Sequence, residues 1–343
     1  MFDFIQRYKY IMFCFYSCIQ YFSIYFSEKA CELNFKLLAE KAIEYNYGPW
    51  FVAVGDLNND SILDLVIAQQ IVNKITVYLG EGNGNFRHRI EYSTGIHSSP
   101  CMIQLGHFNN DSQLDIAVAN FGSNNIALFY GFGNGSFEQP IQFSTNSSRP
   151  IAIFTADFDN DTLFDLVTAN YGTNSITIHC AHTNFQSSLT YSTGDDSFPI
   201  ALTAADFNND HYMDLAIVNY GTHQICIFFA NSSKIFDRQT IISTGFNSQP
   251  RSITAIDFNN DNSIDLITAN YGNQQIQIFV NNGDGTFMSH SSYSTGSTLP
   301  YAIALGDFNE DHQLDIVVVA QGPNNIVLFL ANGNGHLRSP RLF

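Results

Sequence analysis

Basic residues are scarce in this chain: Lys and Arg together number 14 against 31 Asp and Glu, for a net charge of −17 over 343 residues. Binding to a phosphate backbone needs a Lys/Arg footprint, so nucleic acid is excluded as a partner class. Glutamate is scarce as well. With only eight, carboxylate pairs suited to sugar hydrolysis are hard to find outside the aspartate clusters described below. The H-E-x-x-H, G-x-S-x-G and P-loop signatures are missing, which argues against the common hydrolase and nucleotide-dependent mechanisms. The ten histidines are scattered and read as surface or satisfied core side chains. The six cysteines fit no zinc or redox spacing and imply no disulfide framework, and Cys101, Cys180 and Cys226 read as buried thiols on strands.

What the chain does have is repetition. "DLNNDSILDL" from Asp56 recurs as "HFNNDSQLDI" from His107, "DFDNDTLFDL" from Asp157, "DFNNDHYMDL" from Asp206, "DFNNDNSIDL" from Asp257 and "DFNEDHQLDI" from Asp307, at intervals of 49 to 51 residues. A period of that size marks a solenoid or a propeller. Within one unit, "IAIFTAD" alternates, "DLVTAN" is continuously apolar, "SITIHC" alternates again and "SSLTYSTG" closes the unit with β-branched and aromatic residues, predicting four short strands. An "N[YF]G" turn follows the second strand, where glycine is expected to supply a positive φ, and "NGNG"- or "DG"-type hairpins follow the third. The third and fourth units carry "AHTNF" and "ANSSKIF" instead, so looser hairpins are expected there.

One four-stranded sheet is marginal alone, and stacking sheets radially buries both faces of the continuous apolar strands. The fold class expected is therefore all-β: a β-propeller of four-stranded antiparallel blades, six in number, with part of a seven-bladed ring as the alternative. A calcium-binding parallel β-helix is the rival, but the nine-residue period it needs is not present. The segment "NFKLLAEKAIEYNYGPW" resembles the outer strand and link of a unit, so an amino-terminal strand is expected to complete the last blade. Residues 1–33 form a separate hydrophobic leader, with Arg7 and Lys9 ahead of the apolar run Tyr10 to Phe26, read as a signal sequence or signal anchor, and residues 34–343 form the repeat domain.

The acidic stretches explain the charge. Aspartate or asparagine at places one, three, five and nine can converge on one cation: Asp56, Asn58, Asp60 and Asp64; Asp157, Asp159, Asp161 and Asp165; Asp206, Asn208, Asp210 and Asp214; Asp257, Asn259, Asp261 and Asp265; Asp307, Asn309, Asp311 and Asp315. The carbonyls of Ser263 and, at the same place in the first loop, Ile62 would add another oxygen. Several carboxylates this close repel one another by roughly 1 kcal/mol per pair even at high dielectric, and an all-oxygen shell suits Ca²⁺. In the second loop His107 stands in the first place and leaves Asn109, Asp111 and Asp115, so a weak site is expected. Five to six calcium ions are the cofactor complement implied. The second residue of each loop (Leu57, Phe108, Phe158, Phe207, Phe258, Phe308) should turn inward as an apolar anchor.

With its D-x-[ND]-x-D-x-x-x-D loops, "AN[YF]G" turns and "NG[ND]G" hairpins from about Phe35 to Phe343, the chain resembles FG-GAP/VCBS repeats, the calcium-bearing propeller repeats related to the integrin α-subunit head. That resemblance implies Ca²⁺ at the loop joining the first two strands of each blade. Where the family often has glycine in the sixth place, this chain has Ser61, Ser112, Thr162, His211, Asn262 and His312, so some loops are expected to turn less tightly.

The function expected is a non-enzymatic calcium-binding recognition or adhesion module, extracellular or at the cell surface, meeting a protein or glycan ligand, with a membrane involved only through the leader. Sequons at Asn134, Asn146 and Asn231 are compatible with secretion. The alternative is a lectin or carbohydrate-active enzyme on the same scaffold, for which the "YSTG" tyrosines Tyr92, Tyr191 and Tyr293 are the repeated candidates. Packing of an outer strand is the simpler role for them.

Overall fold

The computed structural model describes residues 10–15, 18–26, 33–37, 47–82, 84–109, 111–231, 236–322, 326–333 and 335–343. The architecture is all-β: six four-stranded antiparallel blades of a β-propeller. Blade 1 consists of Pro49–Gly55, Asp64–Gln69, Lys74–Gly82 and Asn85–Ser93, and blade 2 of Pro100–Gly106, Asp115–Asn120, Asn125–Phe129 and Ile141–Ser144. Blade 3 is Pro150–Ala156, Asp165–Asn170, Ser175–His179 and Ser188–Ser192, and blade 4 is Pro199–Ala205, Asp214–Asn219, Gln224–Phe229 and Arg238–Ser243. Blade 5 is Pro250–Ile256, Asp265–Asn270, Gln275–Asn281 and Phe287–Ser294, and blade 6 is Leu299–Gly306, Asp315–Gln321, Ile326–Phe329 and Arg341–Leu342.

The chain divides into two compact units, one holding blades 1 to 3 and the other blades 4 to 6. In the first, Val66, Ala68 and Val77 pack with Ile103, Val118 and Phe129, and Ala117, Ile126 and Leu128 pack with Ile153 and Leu166. In the second, Phe207, Val218 and Ile227 pack with Ile253 and Phe279, and Ile267 and Ile278 pack with Ile316, Val318 and Phe329. Each core thus lies between adjacent sheets, and the second strand from Asp64, Asp115, Asp165, Asp214, Asp265 or Asp315 is buried over its first six residues. Burial on both faces is what the continuous apolar runs require.

Two expectations are corrected. The last blade is completed by the carboxyl terminus and not by an amino-terminal strand: Val327 pairs with Leu342, Leu328 pairs with Arg341, and Ile326 and Phe343 exchange backbone hydrogen bonds. After the Ala331–Leu337 bridge the chain already runs back beside its own third strand, so the nearest partner is local. Leu33–Leu37 instead joins Tyr10–Phe15 and Cys18–Phe26 in a separate three-stranded sheet. Residues 38–46 of the segment expected to complete the blade, like residues 1–9 of the leader, lie outside the described residues. Among the described residues no helix is long and apolar enough to cross a membrane.

The second correction concerns the "N[YF]G" glycines. Gly122, Gly221 and Gly272 do not carry a positive φ, which falls on Asn124, His223 and Gln274. A Cβ on these glycines would collide with the carbonyl oxygens of His97, Asp196 and Asn247, where the incoming link accepts their N–H groups through Ser98, Ser197 and Ser248 at 2.8–2.9 Å. Close approach, not dihedral freedom, is the reason for glycine here. The hairpin glycines behave as expected, with Gly133, Gly135, Gly283 and Gly285 at φ of 70 to 85°.

Candidate metal centre

The acidic loops join the first and second strands of the blades, and their second residues anchor them: Leu57, Phe108, Phe158, Phe207, Phe258 and Phe308 are all buried. Five loops share one hydrogen-bonded frame. The first aspartate (Asp56, Asp157, Asp206, Asp257, Asp307) accepts the N–H of the fifth residue at 3.0–3.1 Å through one oxygen. Its other oxygen accepts the N–H of the sixth residue at 2.7–2.9 Å. The fifth-position carboxylate in all six loops accepts the N–H of the seventh residue at 2.7–2.9 Å. Ile62 and Ser263 are held in their loops by this bond.

The sixth position turns tightly without glycine. Ser61, Thr162, His211, Asn262 and His312 all adopt φ of 63 to 73°, so the expected loosening does not occur in these five loops. The two N–H bonds to the first aspartate hold these residues in a region that L-residues otherwise avoid. Ser112 of the second loop is not in that conformation. There His107 cannot offer two carboxylate oxygens, and its Nδ1 lies 2.7 Å from the carbonyl oxygen of Gln113.

The third-position asparagines Asn58, Asn109, Asn208, Asn259 and Asn309 donate to the fifth-position carboxylates Asp60, Asp111, Asp210, Asp261 and Asp311 at 2.8–2.9 Å. In the third loop the residue is Asp159, and Asp157, Asp159 and Asp165 bring carboxylate oxygens within 4.8 Å of one another. His182, from the 3₁₀ turn Ala181–Thr183 that replaces the glycine hairpin, places Nδ1 2.9 Å from Asp159 and 3.5 Å from Asp161. Sequence reasoning missed His182; the departure of "AHTNF" from the hairpin consensus was its only signal.

The ninth aspartate has a structural role. Asp64, Asp115, Asp165, Asp214, Asp265 and Asp315 are fully buried. One oxygen accepts the second residue's N–H at 2.7–3.2 Å, and the other accepts an N–H from the end of the third strand or the hairpin after it, at 2.7–2.9 Å. Burial raises all six carboxyls, opposed by those two backbone bonds and reinforced by neighbouring loop carboxylates in every blade. Asp165, Asp265 and Asp315 are pushed to about 6 and Asp214 to about 7.

These donors fit a hard dication. They are predominantly carboxylate and amide oxygens, each with a second lone pair left after one N–H bond, and a cation beside the ninth carboxyl would favour its ionised form against the burial that raises it. The loops could hold a metal ion; the imidazole gives the third one a nitrogen donor that the others lack.

Two of the three repeated tyrosines pack outer strands. Tyr92 and Tyr293 accept the N–H groups of Phe137 and Leu337 at 2.9 and 3.1 Å and stack edge-on against Phe129 and Phe329. Cys101, Cys180 and Cys226 are buried thiols outside any disulfide, Cys180 just beyond its strand, and burial pushes Cys101 to about 12 and Cys226 to about 11.

No protein of curated function matches the chain by sequence. Among solved structures it is similar to a lectin from Agrocybe aegerita that recognises non-reducing terminal N-acetylglucosamine (15% identity, TM-score 0.66, covering 98% of this chain and 90% of that one). It is also similar to the periplasmic gluconolactonase of Pseudomonas aeruginosa (14%, TM-score 0.68, 94% and 91%) and to virginiamycin B lyase of Staphylococcus aureus (17%, TM-score 0.58, 88% and 84%). At these identities the likeness is one of fold. The FG-GAP-like repeat profile matches residues 107–168, 157–217, 206–268 and 257–318, and with loops, turns and blades in the same phase the chain belongs to the FG-GAP-like repeat family.

Proposed function

We propose that this protein is a non-enzymatic recognition module whose acidic loops bind Ca²⁺ and hold its blades rigid for an extracellular or cell-surface ligand. The observation carrying this reading is the common frame of five loops, which spends two N–H groups per loop to hold residues such as Thr162 at a φ of 73°. Strained backbone kept at five equivalent places is economical only if the carboxylates it positions act together. Extracellular calcium is abundant enough to fill even weak sites of this kind. Exposed Asn134 and Asn146 suit glycosylation.

Calcium titration of the purified chain should show several ions bound and a melting temperature that falls in chelator. Asp261→Ala should remove one ion; an unchanged ion count and melting temperature would reject the assignment of that loop.

A second reading, a glycan-binding or carbohydrate-active propeller, is favoured by the lectin and gluconolactonase among proteins of similar fold. A glycan array combined with lactonase and lyase assays separates the readings: turnover rules out the first, and glycan capture without turnover narrows its ligand.

A further inference from the structure

Blade 3 differs from the other blades on one face. His179, opposite Leu166, stands where Tyr78, Phe129, Phe228, Phe279 and Phe329 stand in theirs. Thr190, opposite Thr177, stands where blade 2 has Gln142 and blade 4 has Ile241. In blade 2 the longer Gln142 reaches the carbonyl of Thr94 in the preceding link at 3.3 Å, and Asn120 donates to the same carbonyl at 3.2 Å. In blade 3 neither bond forms, because Thr190 is too short and Asn170 turns away to donate to Thr177 at 2.8 Å.

The link itself is altered. From serine to proline, Ser144–Pro150 and Ser294–Pro300 are each one residue shorter than Ser93–Pro100, Ser192–Pro199 and Ser243–Pro250. In those three links the threonine and serine hydroxyls bond each other at 2.6–2.7 Å (Thr94 with Ser98, Thr193 with Ser197, Thr244 with Ser248). The shorter links lack that pair: in Ser294–Pro300 the Thr295 and Thr298 hydroxyls each donate to the other's carbonyl at 2.8–2.9 Å, whereas Thr145 Oγ1 and Ser148 Oγ are buried and meet no hydrogen-bond partner among the described residues. His179 Nε2 is in the same position. The three side chains are only 8%, 5% and 4% exposed, and all line one cavity of about 310 Å³ between the link and the polar face of blade 3.

Three buried, unsatisfied polar groups converging on one space point to an occupant, since a buried polar group left without a partner is destabilising. No Asp, Glu, Lys or Arg lines the cavity, and His179 is held neutral, its imidazole lowered by burial to about 4. A charged ligand would go unpaired there at heavy desolvation cost. Hydroxyls, two amides and a neutral imidazole offer donors and acceptors in balance, and the volume lies at the lower end of the roughly 300–1,000 Å³ of small-molecule sites. We propose that this cavity binds a neutral polyhydroxylated small molecule, a monosaccharide or a cyclic polyol, through Thr145, Ser148 and His179.

The test is saturation-transfer NMR on the full chain with glucose, galactose, mannose and myo-inositol, followed by affinity titration of whichever responds. Thr190→Gln and His179→Phe restore side chains that other blades place there and fill the space; Thr145→Val keeps shape and removes a hydroxyl. Transfer from at least one probe, weakened tenfold or more by Thr190→Gln and by Thr145→Val with the melting temperature held, is the expected result. His179→Phe is scored with them if its melting temperature is also held. No transfer from any of the four probes, unaltered affinity in the variants, or crystallographic density for water alone after soaking would overturn it. The site holds no carboxylate, so the result is read independently of how many calcium ions the loops bind.

Discussion

Asp214 accepts hydrogen bonds from the N–H groups of Phe207, at 3.0 Å, and Ala230, at 2.8 Å, through separate carboxylate oxygens. One buried side chain therefore ties the start of the acidic loop to the residue just past the third strand, and every blade repeats the arrangement. Asp214→Ala would leave two backbone N–H groups inside the fold without acceptors, at about 1–3 kcal/mol each. Urea denaturation should show a loss of about 2–5 kcal/mol, whereas Asp214→Asn, which keeps one acceptor, should lose less than half of that. Equal losses from the two variants would mean that the bond kept by asparagine contributes nothing.

The same carboxyls set a pH dependence. Asp165, Asp214, Asp265 and Asp315 have folded pKa values of about 6 to 7 against an ordinary 3.8. Between those limits the folded state binds more protons than the unfolded one, so the metal-free protein gains stability as pH falls from 8 through 6 towards 4. His179 acts oppositely: its folded value of about 4 lies below the ordinary 6.5, and its contribution is lost as pH falls through that window. Four carboxyls outweigh one imidazole, so in chelator the melting temperature should rise from pH 8 to pH 5. With saturating calcium, which favours the ionised carboxylates, the rise should flatten or reverse. A fall in chelator over that range would contradict the burial-driven shifts.

Thr162 sits at a φ of 73°, a left-handed conformation that costs a β-branched residue about 1–2 kcal/mol. Thr162→Gly should recover about 1 kcal/mol in chelator, less the entropy that glycine loses on folding. In the second loop Ser112→Gly should bring no such gain, because that residue is not held left-handed. Denaturation midpoints of the two variants measure the difference.

The third loop should differ in cation preference. His182 lies 2.9 Å from Asp159, and an imidazole nitrogen suits Mn²⁺ or Zn²⁺ better than Ca²⁺. His182→Ala is expected to weaken the tightest Mn²⁺ site about tenfold and leave the number of calcium ions unchanged. Paramagnetic resonance of added Mn²⁺ reads the first quantity and calcium titration the second.

The blades, acidic loops and hairpin glycines were legible in the sequence because each is a local pattern repeated in phase. Asp56 to Asp64 and Asp307 to Asp315 spell the same loop, and Leu57 and Phe308 anchor both. What escaped was non-local. Gly122 needs to be glycine because of the carbonyl of His97, 25 residues away in the link that enters its blade. His182 meets Asp159 only once the hairpin of blade 3 is folded back onto the loop. The strand Arg341–Leu342 is too short to carry a period-two signal. The cavity of blade 3 arises from one missing link residue and two shortened side chains, each unremarkable alone.

In the second loop His107 has displaced the first carboxylate, yet Asp115 still joins Phe108 to Gly131 at 2.7 and 2.8 Å. Attachment of the loop to its sheet thus survives loss of a side chain at the loop's opening. A repeat without the first carboxylate still stands as a complete sheet, so the opening position of a loop is free to vary without unpinning the strands behind it.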